Sequence, residues 1–242
     1  NYININISNL KSKLSSTTKQ YCKNIIYKIK DENFDIIEIH NRPLIFNYLK
    51  REVNSKYILY FHNDPLSMNG SKSTQDRIFL LNNIDKILFN SEWSQKRFFI
   101  GIDNEKLLKQ KTSICYQSTS KCSINFSKKK KLISFIGKLN SAKGYDLFGN
   151  AILKVLDNHN DWKSIVIGDE PREKIKFNHK NLKVYGYTKN EKVLNFLKDV
   201  SISVICSRWE EPFGRTSLEA ASRGSAIIIS NRGGLPETSK SA

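Results

Sequence analysis

Glu211 and Glu219 stand with seven residues between them in the stretch SISVICSRWEEPFGRTSLEAASRGSAIIISNRGGLPE, residues 201–237. Between them Pro212 fixes a turn, and Gly214 lets the backbone close on a ligand. The amides of Phe213, Gly214 and Arg215 would then face an anion such as phosphate at a helix start. Glu211 falls beside that anion and Glu219 about a turn and a half into the helix, where a carboxylate can accept both hydroxyls of a ribose. On spacing alone a simpler account exists. Arg215, Glu219 and Arg223 lie at i, i+4 and i+8, the pattern of an exposed acid between two arginines.

A second place of the same kind is Gly137-Lys138-Leu139-Asn140-Ser141-Ala142-Lys143-Gly144, which follows an apolar run. Lys138 and Lys143 could neutralise a diphosphate as its charge grows during leaving-group departure, although surface lysines are common in this chain. Gly168 and Gly186 close two further apolar runs, the latter followed by Tyr187. Upstream, His40-Asn41-Arg42-Pro43 and His62-Asn63-Asp64-Pro65 both follow strand-like runs. Polar groups at consecutive strand ends line the ligand edge of a parallel sheet, whereas Asn or Asp near Pro also serves plain turns.

The elements that would carry these residues alternate between period 2 and period 3.6. Residues 201–206, 215–223 and 226–230 read as strand, short helix and strand, a βαβ unit. Before them come a strand pattern at Tyr2, Ile3, Ile5 and Ile7, a helix over 10–30, a strand over 34–40, a helix over 44–53 and a strand over 57–61. The Gly/Ser/Lys-rich segment 66–74 is expected to be a mobile loop. A helix over 75–82, a strand over 86–90, a helix with Ser91 as N-cap and a strand over 112–116 follow. Residues 117–131, polar and aperiodic, read as a linker. Strands over 132–136, 164–167 and 182–184 and helices over 145–156 and 191–199 complete the order. The fold class is α/β, with parallel sheets and domains at 1–122 and 123–242.

Composition, with 39% hydrophobic and 26% charged residues, is that of a soluble globular chain, and no apolar run is long enough for a transmembrane helix. The chain lacks an initiator methionine, since its single methionine is Met68, and both ends are expected to be truncated. Cys22, Cys115, Cys122 and Cys206 show neither CxxC spacing nor a neighbouring histidine pair, which argues against zinc and disulfides and fits a reducing cytoplasm. The net charge of +17 is spread along the chain, with Lys128 to Lys131 as a dense run read as solvated linker, and it implies a general attraction to anionic lipid.

Glu-Pro-Phe-Gly at 211–214, the acid-to-acid spacing, Leu-Glu-Ala-Ala at 218–221 and Gly-Gly-Leu-Pro-Glu at 233–237 together resemble the donor-site signature of the retaining glycosyltransferases of family 4. The resemblance implies a GT-B fold: two Rossmann-like domains facing a cleft, the first on the acceptor side and the second binding the donor. It also implies a nucleotide diphosphate sugar as substrate, a glycan or lipid-linked acceptor, and neither metal nor cofactor. Residue by residue, it implies that Lys143, Lys138 and the Phe213-Gly214-Arg215 segment hold the departing diphosphate. Gly186 and Tyr187 would seat the base, Glu219 the ribose, Glu211 the sugar, and His62 would reach that sugar as well. Lys138 stands where the family usually has arginine, without the bidentate fork. Two alternatives remain open: a nucleotide-sugar epimerase of the same architecture, and a basic nucleic-acid or membrane-surface module whose binding would not depend on Glu219.

Overall fold

A computed structural model describes residues 17–240; the strand pattern at Tyr2–Ile7 lies outside the described residues. The chain forms two compact units, dividing between Tyr116 and Gln117 where the sequence reading placed a boundary at 122/123. Thr119 and Ser120 belong to the second unit because the buried Arg223 guanidinium donates to the Thr119 hydroxyl at 3.2 Å and to the Ser120 carbonyl at 2.8 Å.

In the first unit, α1 (Thr17–Ile29), β1 (Ile36–His40), α2 (Pro43–Glu52), β2 (Lys56–Phe61), α3 (Thr74–Asn83), β3 (Lys86–Phe89), α4 (Glu92–Phe99), α5 (Glu105–Lys111) and β4 (Thr112–Ile114) follow in order. The strands form one parallel sheet in the order β1-β2-β3-β4. Alternation on β2 sends Tyr57, Leu59 and Phe61 inward, where Phe61 stacks on Phe89 at 5.5 Å and meets Phe98. Each such fully buried side chain stabilises the unit by about 1.5–3 kcal/mol.

The segment 66–74 is not the mobile loop its composition suggests. Ser71 is fully buried and donates to the Pro65 carbonyl, while Arg77 of α3 donates to the Ser71 and Lys72 carbonyls at 3.3 and 2.8 Å. Ser73 closes a capping box with Asp76.

The second unit holds β5 (Lys130–Ile136), α6 (Tyr145–Asn158), β6 (Lys163–Ile167), β7 (Leu182–Val184), α7 (Asn190–Asp199), β8 (Val200–Ile205), α8 (Arg215–Ala221) and β9 (Ala226–Ile229). Its parallel sheet runs β7-β6-β5-β8-β9. The chain therefore winds outward from β5 to β7 and resumes on the far side of β5 at β8. That reversal opens a crevice at the carboxyl ends of β5 and β8, where ligands of open α/β sheets bind. On β6 Val166 packs with α6 residues Phe148, Ile152 and Leu156, while Ile165 and Ile167 face Val193 and Leu197 of α7 and Ala220 of α8. Both faces of the sheet are covered, which is why its strands read as near-continuous apolar runs.

The lysine run at 128–131 is largely exposed, as read, but it is anchored rather than a free linker. Lys129 donates to the Leu197 and Val200 carbonyls at 3.0 and 2.7 Å, Lys130 pairs with Asp199 at 2.6 Å, and Lys131 pairs with Asp161. Its last two residues begin β5.

Candidate functional site

At the crevice, the loops after β5 and β8 are joined backbone to backbone. The amides of Arg208 and Trp209 both donate to the Ala142 carbonyl at 3.0 Å, and the Cys206 thiol donates to the Gly144 carbonyl at 3.1 Å. Arg208 adds a bidentate pair with Asp146 at 2.5 and 2.7 Å. Gly144 and Gly214 precede α6 and α8 in the left-handed region, with φ of +74° and +106°. These turns bring both helix starts to the crevice.

Lys143 and Glu211 meet there. Their side chains form an ion pair of 2.5 Å, with the carboxylate 12% and the ammonium 33% exposed. Lys143 is held from behind, because its amide donates to the Asn140 side chain at 2.9 Å. Glu211 is held by the Gly-Gly pair: the Gly234 amide donates to its carbonyl at 2.6 Å, and a Cβ on Gly233 would collide with the Glu211 backbone. Phe213 is buried at 4% exposure, so its ring is structural and only its backbone can face a ligand. Leu235 packs directly under Gly214.

Glu219 is not the exposed acid that its spacing allows. It is 6% exposed, and its Oε1 accepts from the Arg215 guanidinium and from the Asn190 side-chain amide, each at 3.2 Å. Arg223, the other half of the supposed i, i+4, i+8 stripe, points instead at Thr119 and Ser120.

The ends of β5, β6 and β7 are stitched at their glycines. Gly137 donates to the Ile167 carbonyl at 3.0 Å, and Gly168 donates to the Gly186 carbonyl at 2.9 Å. Gly186 has φ +67°, and Tyr187 beside it is 79% exposed, so the ring offers a free face. Lys138 makes no ion pair among the described residues.

Sequence reasoning missed the acids that brace this loop. Glu170 is buried; Arg172 grips it through Nε at 2.7 Å and Nη2 at 2.8 Å, and Asn140 donates to it at 3.4 Å. Those hydrogen bonds from Arg172 pull its carboxyl down to about 2, with Lys138 contributing a smaller attraction. Glu173 accepts from the Ser141 amide at 3.0 Å. An acid directly after Gly168-Asp169 was the available signal.

In the first unit, His40 Nδ1 and His62 Nε2 lie 2.8 Å apart with the rings stacked at 5.1 Å. Asn41, at φ +55°, accepts through its side chain from the amides of His62 and Asn63 at 2.7 and 3.1 Å. Asn90 donates to the His62 carbonyl at 2.9 Å. Burial, with His40 beside it, holds the His62 imidazole below the ordinary histidine range. The sequence placed both at consecutive strand ends on one sheet edge; the structure brings the two rings into direct contact.

Among the described residues no group of three or more His, Cys, Asp or Glu side chains could hold a metal ion, and no helix is long and apolar enough to cross a membrane.

Comparison with known proteins adds the following. The family model described as glycosyl transferases group 1 matches residues 117–242. A putative glycosyltransferase of Bacillus subtilis (strain 168), YtcC, is 26% identical over 92% of this chain and 61% of its own length. An uncharacterised 41.2 kDa protein in the cps region of Klebsiella pneumoniae is 27% identical over 88% of this chain and 64% of its own. The chain thus spans about three-fifths of the length of these curated relatives. Among solved structures, Anabaena Alr3699/HepE in complex with UDP-glucose superposes with a TM-score of 0.66 at 15% identity, over 89% of this chain and 64% of that one.

Proposed function

This chain belongs to the glycosyl transferases group 1 family, and from that premise we propose that it transfers a sugar, with retention of configuration, from a nucleotide diphosphate sugar to an acceptor hydroxyl. Its two parallel-sheet units have the GT-B fold. The observation that carries the reading is the Lys143–Glu211 pair at the crevice, with Glu219 buried alongside it on α8. A cation, a sugar-facing carboxylate and a ribose-facing carboxylate are the groups an extended nucleotide-sugar needs.

In this reading the donor's diphosphate lies against Lys143, with Lys138 nearby. As the bond from the anomeric carbon to the phosphate oxygen breaks, these ammonium groups stabilise the charge that develops on the diphosphate, without a metal ion. The acceptor oxygen forms its bond to the anomeric carbon from the face the diphosphate leaves, and its proton passes to the departing phosphate oxygen. Glu211 orients the sugar rather than attacking it; with the acceptor entering on the face the diphosphate leaves, the transfer needs no covalent intermediate on the carboxylate. Glu219 accepts from the ribose, and Gly186 and Tyr187 border the base. His62 is assigned to the sugar, held neutral so that it can donate or accept a hydrogen bond.

The UDP-glucose bound by the Anabaena protein supports a uridine donor, and the cps-region relative supports a bacterial surface glycan or lipopolysaccharide as product. Four free cysteines fit work in the cytoplasm, with peripheral contact to an anionic membrane bearing the acceptor. Calorimetric titration of UDP and GDP, without metal, tests the site. One diphosphate should bind in the micromolar range and lose at least about tenfold in Glu219→Ala. Equal affinity in both proteins would refute the assignment.

A further inference from the structure

Glu219 is held asymmetrically. Its Oε1 takes both protein donors, Asn190 Nδ2 and Arg215 Nη2, while among the described residues no protein group donates to Oε2. The two donors come from different elements. Arg215 sits one turn earlier on the same helix and its side chain is 58% exposed; such a solvated i, i+4 pair holds a carboxylate only weakly. Asn190 is the first residue of α7, two residues beyond Thr188, whose hydroxyl donates to the Gly186 carbonyl at 3.3 Å.

We propose that Asn190 is a positioning residue: its amide pins one oxygen of the Glu219 carboxylate and so presents the other to the 2′- and 3′-hydroxyls of the nucleotide's ribose. The inference rests on the reading of Glu219 as the ribose acceptor. Chemically, a neutral amide suits the task better than a second cation. It fixes the rotation of the carboxylate while leaving its charge available to hydroxyl donors. It also ties the acid on α8 to the loop that ends at Gly186 and Tyr187, so that ribose and base are read by one connected piece of backbone. A helix-start asparagine is ordinarily a cap, but here the cap position is Lys189 and the Asn190 amide is turned to the acid.

The test is calorimetric titration of UDP, GDP and their 2′,3′-dideoxy counterparts into the full chain and into Asn190→Ala, Asn190→Asp and Glu219→Ala. Asn190→Asp keeps the shape and replaces the donor with a carboxylate that repels Glu219, while Asn190→Ala removes the donor without adding charge. Both Asn190 variants should weaken the ribonucleotide about three- to tenfold and leave the 2′,3′-dideoxy nucleotide, which offers Glu219 no hydroxyl, within about twofold of wild type. An equal loss for both nucleotides would mean that Asn190 merely supports the fold, and no loss would mean that Arg215 suffices; either overturns the inference. Should Glu219→Ala lower ribonucleotide affinity while the Asn190 variants do not, the ribose reading stands and the positioning role alone fails. Failure of the unaltered chain to bind either ribonucleotide, or indifference to Glu219→Ala, overturns both.

Discussion

His62 shows how much a single residue draws from its neighbours. Its imidazole is half-buried against Tyr60, faces His40, and has Glu38 in range as an opposing attraction. Its folded pKa lies below the unfolded value of about 6.5, so the unfolded chain binds the extra proton first. Stability contributed by the neutral form is therefore complete above about pH 6.5 and is lost as pH falls below it. Urea unfolding at pH 7.5 and 5.5 should show a decline that is smaller in His62→Gln; an equal decline would place the proton elsewhere. That His62 could matter was legible, since it ends a strand. That it shares a hydrogen bond with His40 was not, because 22 residues separate them and only strand register brings them side by side. For Glu219 the charge spacing alone would mislead, since a regular i, i+4, i+8 pattern describes a helix surface, whereas the surrounding motif pointed to a site; tertiary packing buried the middle member and turned Arg223 away.

At the scale of elements, the strand–turn–helix junctions of the second unit were read to within a residue or two, because glycine and the apolar runs mark them, whereas α5 of the first unit was not read at all. The two junctions at the crevice differ in how much they tolerate. A Cβ on Gly144 would meet the Cys206 carbonyl, a backbone atom that cannot retreat, whereas on Gly214 it would meet the end of the Leu235 side chain. Both also adopt a left-handed φ. Gly144→Ala should thus cost about 2–4 kcal/mol and Gly214→Ala about 1–2, measured by chemical denaturation. The reverse order would mean that the β5 and β8 loops are not locked together as described. The anchoring of segment 66–74 and of the lysine run at 128–131 was not legible for one reason. Local composition signals solvent, but Arg77 and the carbonyls at the end of α7 supply long-range partners that no local pattern announces.

For the molecule as a whole, the net charge of +17 invites a nucleic-acid role, and the two readings separate cleanly. Attraction to duplex DNA, being counterion release, should fall steeply between 50 and 200 mM salt and be indifferent to Glu219→Ala. Nucleotide diphosphate binding should survive 200 mM salt and depend on that residue; fluorescence titrations of both ligands at two salt concentrations decide between them. The ion pair between Lys143 and Glu211 has a bearing on turnover as well. If the proposed reading holds, a bare diphosphate that claims the lysine would strip a nearly buried carboxylate of its counter-charge and give it nothing in return, whereas an intact donor would bring sugar hydroxyls to take the lysine's place. The crevice would then be harsher on the spent nucleotide than on the fresh one, and the partnership that re-forms as the diphosphate departs would help clear the site for the next cycle.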